Sequence, residues 1–286
     1  LAAAVCAAGM LYHGLRPLRV LAAHAARVTP GASGQRLDAG AAPSELQPLV
    51  DALNAMLARL QQSYARLSGF SADLAHEFRT PVTNLLGQSQ VMLAQPRSGG
   101  EYEQLLVSNI EELERLARMI ESMLFLARAG QDDVLLTRQP LVALDELRKV
   151  AELYESMAEE HGLRLACSGD GALLADPALL RRALSNLLSN AVRHAQPGST
   201  IELHAAPLAQ GVALSVSNCG APIAAEHAPH LFERFYRADP ARSADGGSTG
   251  LGLAIVSAIM DLHGGTATLH TVGAIARFTL VFSAAR

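Results

Sequence analysis

A leucine seam near the start of the chain limits most strongly what it can fold into. Leu46, Leu53, Leu60, Leu67 and Leu74 recur every seven residues, with Leu49, Met56 and Phe70 on the companion seam. Five consecutive heptads specify a coiled coil, and hence a parallel dimer, over an ordinary amphipathic helix. The seam runs unbroken into Phe70-Ser-Ala-Asp-Leu-Ala-His-Glu-Phe-Arg-Thr-Pro81. His76 falls off both seams and is expected to face water. A neutral imidazole has one unprotonated nitrogen, a usable nucleophile near neutral pH. Glu77 could accept from the other nitrogen and hold that tautomer, although helical neighbours point about 100° apart. Pro81 removes the donor that would pair with the Glu77 carbonyl, which predicts a kink one turn past the histidine.

Half of the 286 residues are apolar, enough for two or three modules with their own cores. A net charge of -4 gives no basic field and argues against a nucleic-acid partner. Lys149 is the only lysine, so arginine must carry any phosphate clamp. Cys6, Cys167 and Cys219 are too scattered for a disulfide framework or a zinc motif. Leu1 to Leu15 is largely apolar, shorter than the roughly 20 residues that span a bilayer, and followed by Arg16 and Arg19. It reads as the inner end of a transmembrane helix, with a buried soluble helix or a cleaved signal sequence as the alternatives. A helix from Arg16 to Val28 breaks at Thr29 to Gly34, and a second begins at Ser44, with Gln47 at the capping-box position.

The His76 helix is expected to reach about Ala94 and, after the turn at Gln95 to Gly100, a second helix to run from Glu101 to about Ala129. Leu106, Leu113, Leu116, Ile120 and Met123 give it a heptad face, so two such hairpins would form a four-helix bundle. Beyond Gln131 to Asp133 the pattern becomes mixed α/β. A helix from about Leu144 ends before Gly162, strands follow at Leu163 to Cys167 and Ala172 to Leu174, and Asp176-Pro177 reads as an N-cap and first helical residue. Thr200 to Ala206 and Val212 to Ser217 form a hairpin around Gln210-Gly211. A helix opens at Gly250, and strands at Thr266 to Thr271 and Ala274 to Phe282 close a two-layer sandwich.

Three stretches of this second half carry chemistry. Asn186 and Asn190 share one helix face, where amide oxygens suit a magnesium ion held jointly with phosphates. Gly246-Gly-Ser-Thr-Gly-Leu-Gly252 runs straight into a helix N-terminus, a place where backbone amides meet polyphosphate. It is neither a Walker loop nor a dinucleotide-binding turn. Val216-Ser-Asn-Cys-Gly-Ala-Pro-Ile223 offers Asn218 and Gly220 between them.

Together with His-Glu-x-x-Thr-Pro at 76–81, these stretches resemble, in order and spacing, the H, N, G1 and G2 boxes of sensor histidine kinases of two-component systems. Leu231-Phe-Glu-Arg-Phe-Tyr-Arg237 is similar to their F-box, after which the segment from Ala238 to Gly247 would be the mobile lid. The resemblance implies a transmembrane-helix end at 1–15, a HAMP linker at 16–67 with Pro17 and Glu45 at its usual positions, a dimerisation and phosphotransfer domain at 68–132, and a Bergerat-type ATP-binding domain at 138–286. It implies autophosphorylation of His76 from ATP and Mg2+, with Asn190 the main magnesium ligand and Asn186 its support. Arg193 and Arg237 would contact phosphates, His194 would wall the nucleotide, and Thr249, Gly250, Leu251 and Gly252 would cradle it. Thr80 matches the position that orients water for dephosphorylating the regulator. The expected partners are a cognate response regulator and a second copy of the chain, with the whole anchored in a bacterial inner membrane and this part in the cytoplasm. Asn218 stands where the family has Asp, and Pro222 where it has a second Gly. An amide can still accept from adenine, without charge assistance. Asn-x-Gly-x-Pro-Ile resembles the heavy-metal, copper-type sensor kinases. The alternative is a pseudokinase acting mainly as a regulator phosphatase.

Overall fold

The computed structural model describes residues 47–129, 135–238 and 249–283. The expected membrane-helix end, the linker before Gln47, the cap at Ser44 and most of the expected lid between Ala238 and Gly247 lie outside the described residues. Among those described, no helix is long and apolar enough to cross a membrane. The chain divides into two compact units, 1–84 and 85–286.

The first unit's described part is the front of one long helix, α1 (Gln47–Leu93). Pro81 lies inside it without ending it. Val50 is buried with Leu53 and Leu57 against it, whereas Leu49, Met56 and Leu60 on the heptad seams stay exposed.

The second unit opens with the end of α1 and with α2 (Gly99–Ala129). The sequence placed this start at Glu101; a capping box explains the earlier one. The Glu101 N–H donates to Ser98 Oγ at 3.3 Å, and the Ser98 N–H donates to Glu101 Oε2 at 2.8 Å. The Ser98 backbone N–H, ahead of its hydroxyl, holds the Glu101 carboxyl below its ordinary range.

The α/β part runs β1 (Gln139–Val142), α3 (Ala143–Glu160), β2 (Arg164–Gly169), β3 (Ala172–Ala175), α4 (Pro177–His194), β4 (Thr200–Leu208), β5 (Gly211–Cys219), α5 (Gly252–His263), β6 (Thr266–Val272) and β7 (Ile275–Ser283). Five strands form one sheet in the order β2-β4-β5-β7-β6, parallel only at β2-β4. The short β1 pairs antiparallel with β3 in a separate ribbon.

Alternation along β4 and β7 turns Ile201, Leu203, Phe278 and Leu280 to the helices and leaves the other face wet. Against them lie Leu180, Leu184, Leu187 and Leu188 of α4 and Val256, Ile259 and Met260 of α5, all fully buried. Asp176 caps α4 by accepting from the Ala178 and Leu179 amides. Its own N–H donates to His263 Nε2 at 3.0 Å, while His263 Nδ1 donates to the Ile259 carbonyl, so the end of α5 is tied to the start of α4. Glu146 is buried on α3 and accepts from Lys149 at 2.7 Å and from Arg181 of α4 at 2.8 Å. Burial alone would raise its pKa. Those hydrogen bonds and the two charges outweigh it and hold the carboxyl below the usual range.

Candidate functional site

The expected phosphoacceptor group belongs to the first unit and the expected nucleotide groups to the second. On α1, His76 and Thr80 are exposed and Glu77 is half-buried. That exposure meets the first requirement of a histidine that must be reached by another molecule.

In the α/β part the three chemistry-bearing stretches meet through close approaches of glycines, two of which, at Gly220 and Gly250, leave no room for a Cβ. Gly220 lies so near the end of α4 that an added Cβ would collide with the His194 carbonyl oxygen. The strand holding it is secured there: the Gln196 N–H donates to the Cys219 carbonyl at 2.7 Å and the Gly220 N–H to the Ala274 carbonyl at 2.8 Å. Asn218, one register step earlier on β5, is 4% exposed, with its Nδ2 3.2 Å from where a Gly220 Cβ would sit. Gly252 faces α4 about two turns earlier, its missing Cβ position 3.1 Å from Asn186 Oδ1. The Asn186 amide nitrogen donates back to the Arg182 carbonyl at 2.9 Å, an assignment that leaves the oxygen turned toward the glycine-rich turn. A side-chain oxygen so directed, with half-buried Asn190 one turn on, suits a hard cation that keeps waters and shares phosphate oxygens.

The third approach closes the base of the expected lid. The Phe235 N–H donates to the Gly250 carbonyl at 2.9 Å, and a Cβ on Gly250 would come within 2.7 Å of Phe235 backbone atoms. Gly250 has φ +66° and Phe235 φ +62°, the latter the one positive value among described non-glycine residues. Phe232 packs edge-on against Phe278 at 6.3 Å, as a core residue does. The Tyr236 ring lies 6.1 Å from His227 and 5.4 Å from His230, and its hydroxyl meets His227 Nδ1 at 2.7 Å.

Leu251, expected among the nucleotide contacts, is 1% exposed; its side chain belongs to the core and only its backbone is offered. The helix begins at Gly252 rather than Gly250, after Leu251 as N-cap. Thr249 and Gly250 are half-buried, and Arg193 and His194 are exposed at the end of α4. Partial desolvation of its guanidinium first, then the nearby charges of Arg115 and Arg237, push Arg193 below its ordinary range. Arg115 was missed in the sequence because it sits on α2, far along the chain, in a Glu/Arg-rich helix where charges are ordinary. Arg182 was also missed: its guanidinium stacks 4.3 Å over the Phe125 ring and joins α4 to α2.

A buried amide, two asparagines on one helix face and a glycine turn at a helix N-terminus, downstream of an exposed helical histidine, define a class, and family models identify it. Residues 175–286 match the histidine kinase-, DNA gyrase B- and HSP90-like ATPase domain. Residues 66–132 match the His Kinase A (phospho-acceptor) domain, and residues 15–62 the HAMP domain of PhoQ-like sensor proteins. The chain belongs to the sensor histidine kinases.

Its relatives narrow the group. It is 47% identical to the sensor protein IrlS of Burkholderia pseudomallei over 92% of this chain and 57% of that protein. It is 42% identical to the sensor histidine kinase CusS of Escherichia coli K12 over 96% and 57%, and 43% identical to the sensor protein CzcS of Cupriavidus metallidurans over 98% and 59%. The chain thus spans a little over half the length of these relatives. Among solved structures, the Acinetobacter baumannii histidine kinase AdeS superposes with a TM-score of 0.61 at 24% identity, over 74% of this chain and 98% of that one, a likeness of fold. Full-length ShkA in complex with AMPPNP gives 0.57 at 29% identity, over 75% and 46%.

Proposed function

We propose that this chain is the cytoplasmic part of a homodimeric sensor kinase of the bacterial inner membrane, which phosphorylates His76 from ATP and passes the group to an aspartate of a response regulator. The observation that carries the reading is that both glycine motifs border α4, Gly220 with buried Asn218 beside it against His194 and Gly252 against Asn186. The lone pair of an unprotonated His76 nitrogen forms the P–N bond to the γ-phosphorus. The bond from that phosphorus to its bridging oxygen breaks and ADP leaves. The proton on the other ring nitrogen passes to Glu77. Such a transfer needs positioning and charge neutralisation more than covalent help.

Asn218 would accept from the adenine amino group in a dry pocket, which offsets part of its missing charge. Asn190, supported by Asn186, would hold the magnesium ion that neutralises the phosphates when bound. Arg193 and Arg237 would meet the phosphates, and Thr80 would orient water for regulator dephosphorylation. The Asn-x-Gly-x-Pro-Ile stretch supports heavy metal, copper or silver, as the stimulus class.

The test is calorimetric titration with Mg-ATP, wild type beside Asn190→Ala, followed by transfer to a receiver domain. Micromolar binding that weakens at least tenfold in Asn190→Ala supports the reading. A folded wild type that binds no nucleotide would shift it to a transmitter acting as a regulator phosphatase.

A further inference from the structure

We propose that Arg115, on the second hairpin helix, completes with Arg193 and Arg237 an anion subsite for the terminal phosphate of the nucleotide. The proposal deepens, and rests on, the nucleotide reading above. Arg115 shares one face of α2 with Met119, Met123 and Leu126, which follow at helical spacing and are buried. Next to them, Phe125 underlies Arg182, and the Leu126 carbonyl accepts from Arg234 at 3.4 Å. The same face therefore presents Arg115 to the α/β layer.

Two guanidinium nitrogens there lack a partner. Arg115 Nε and Arg237 Nη2 are out of contact with solvent and make no hydrogen bond among the described residues. Buried donors left unmade are costly and uncommon, and they mark places where an acceptor belongs. The carboxylate paired with Arg115 is Glu112, at 3.6 Å from a different nitrogen, too far for a good hydrogen bond. Among the described residues Arg115 has this one carboxylate and Arg193 and Arg237 have no ion pair, and the charges of Arg115 and Arg237 both bear on Arg193. Like charges held together without a counter-ion destabilise a folded protein, so the cluster calls for an anion of more than one charge. Planar guanidinium forks on a phosphate satisfy this with a bidentate geometry that an ammonium point charge lacks. A γ-phosphate would tie α2 to the ATP-binding layer, whereas ADP would leave Arg115 without its acceptor.

The experiment compares Mg-AMPPNP and Mg-ADP affinities of the full chain, as wild type, Arg115→Gln, Arg115→Lys and, as control, the exposed Arg118→Gln. The expected result is at least a fivefold loss of AMPPNP affinity in Arg115→Gln, with ADP affinity within twofold and the nucleotide-free melting temperature equal to or above wild type. Arg118→Gln should change neither affinity. Equal losses for both nucleotides, or none, overturn the subsite while leaving the ATP reading intact. Wild-type protein that binds neither nucleotide overturns both. Should Arg115→Gln not fold, Arg115→Lys decides: a loss of at least twofold confined to AMPPNP supports the subsite, and unchanged affinity overturns it.

Discussion

The α/β layer and the long helices treat their leucines in opposite ways. In the layer, Leu180, Leu184, Leu187 and Leu188 have no exposure at all; on α2, Leu106 is 60% exposed and Leu113 55%. Both sets follow helical periodicity, so the sequence pattern alone does not distinguish them. The layer finishes its core within one chain. The helices present apolar faces of the kind a second copy covers, as proposed above. On the dimer proposed above, one region is stable alone and the other depends on concentration.

Truncation separates the two most sharply. Leu187→Ala should destabilise the ATP-binding layer by about 3 kcal/mol, read as a lower denaturant midpoint. Leu113→Ala should leave that midpoint in place and weaken dimerisation in sedimentation experiments. Equal effects on the layer would break the contrast.

The buried carboxylate gives a smaller effect, confined to the layer. Glu146→Gln should cost about 2 kcal/mol at neutral pH. Because its folded pKa is depressed, Glu146 stabilises fully above its unfolded pKa of about 4.3, and that contribution fades as pH falls through the folded value. The wild-type and Glu146→Gln acid-unfolding curves should therefore converge in acid.

Gly252→Ala tests the site rather than the core. A Cβ 3.1 Å from Asn186 Oδ1 must displace that oxygen, so Mg-ATP affinity should fall about tenfold, or about 1.4 kcal/mol, with little change in stability. Gly162→Ala should be smallest, about 1 kcal/mol, since φ +67° penalises alanine where space is otherwise open.

What was legible in the sequence was local. Asp176-Pro177, Gly162 after α3 and the hairpin at Gln210-Gly211 announce themselves within a few residues, and the structure has each of them. β1 was not legible: its four residues do not alternate, and its partner β3 lies beyond α3 and β2. The same limit hid much of the site. The glycine motifs suggested phosphate contact, but that Gly220 makes room for His194, Gly252 for Asn186 and Gly250 for Phe235 depends on which elements meet. Arg115 carries no motif, and the layer it faces begins only after α2 ends.

The most direct test of the central claim is incorporation of γ-32P from Mg-ATP into the purified chain, wild type beside His76→Gln, with acid and alkali treatment of the product. The account predicts an acid-labile, alkali-stable label that is absent from His76→Gln. A folded, dimeric wild type that binds Mg-ATP and takes up no label, or a label that persists in His76→Gln, would contradict it.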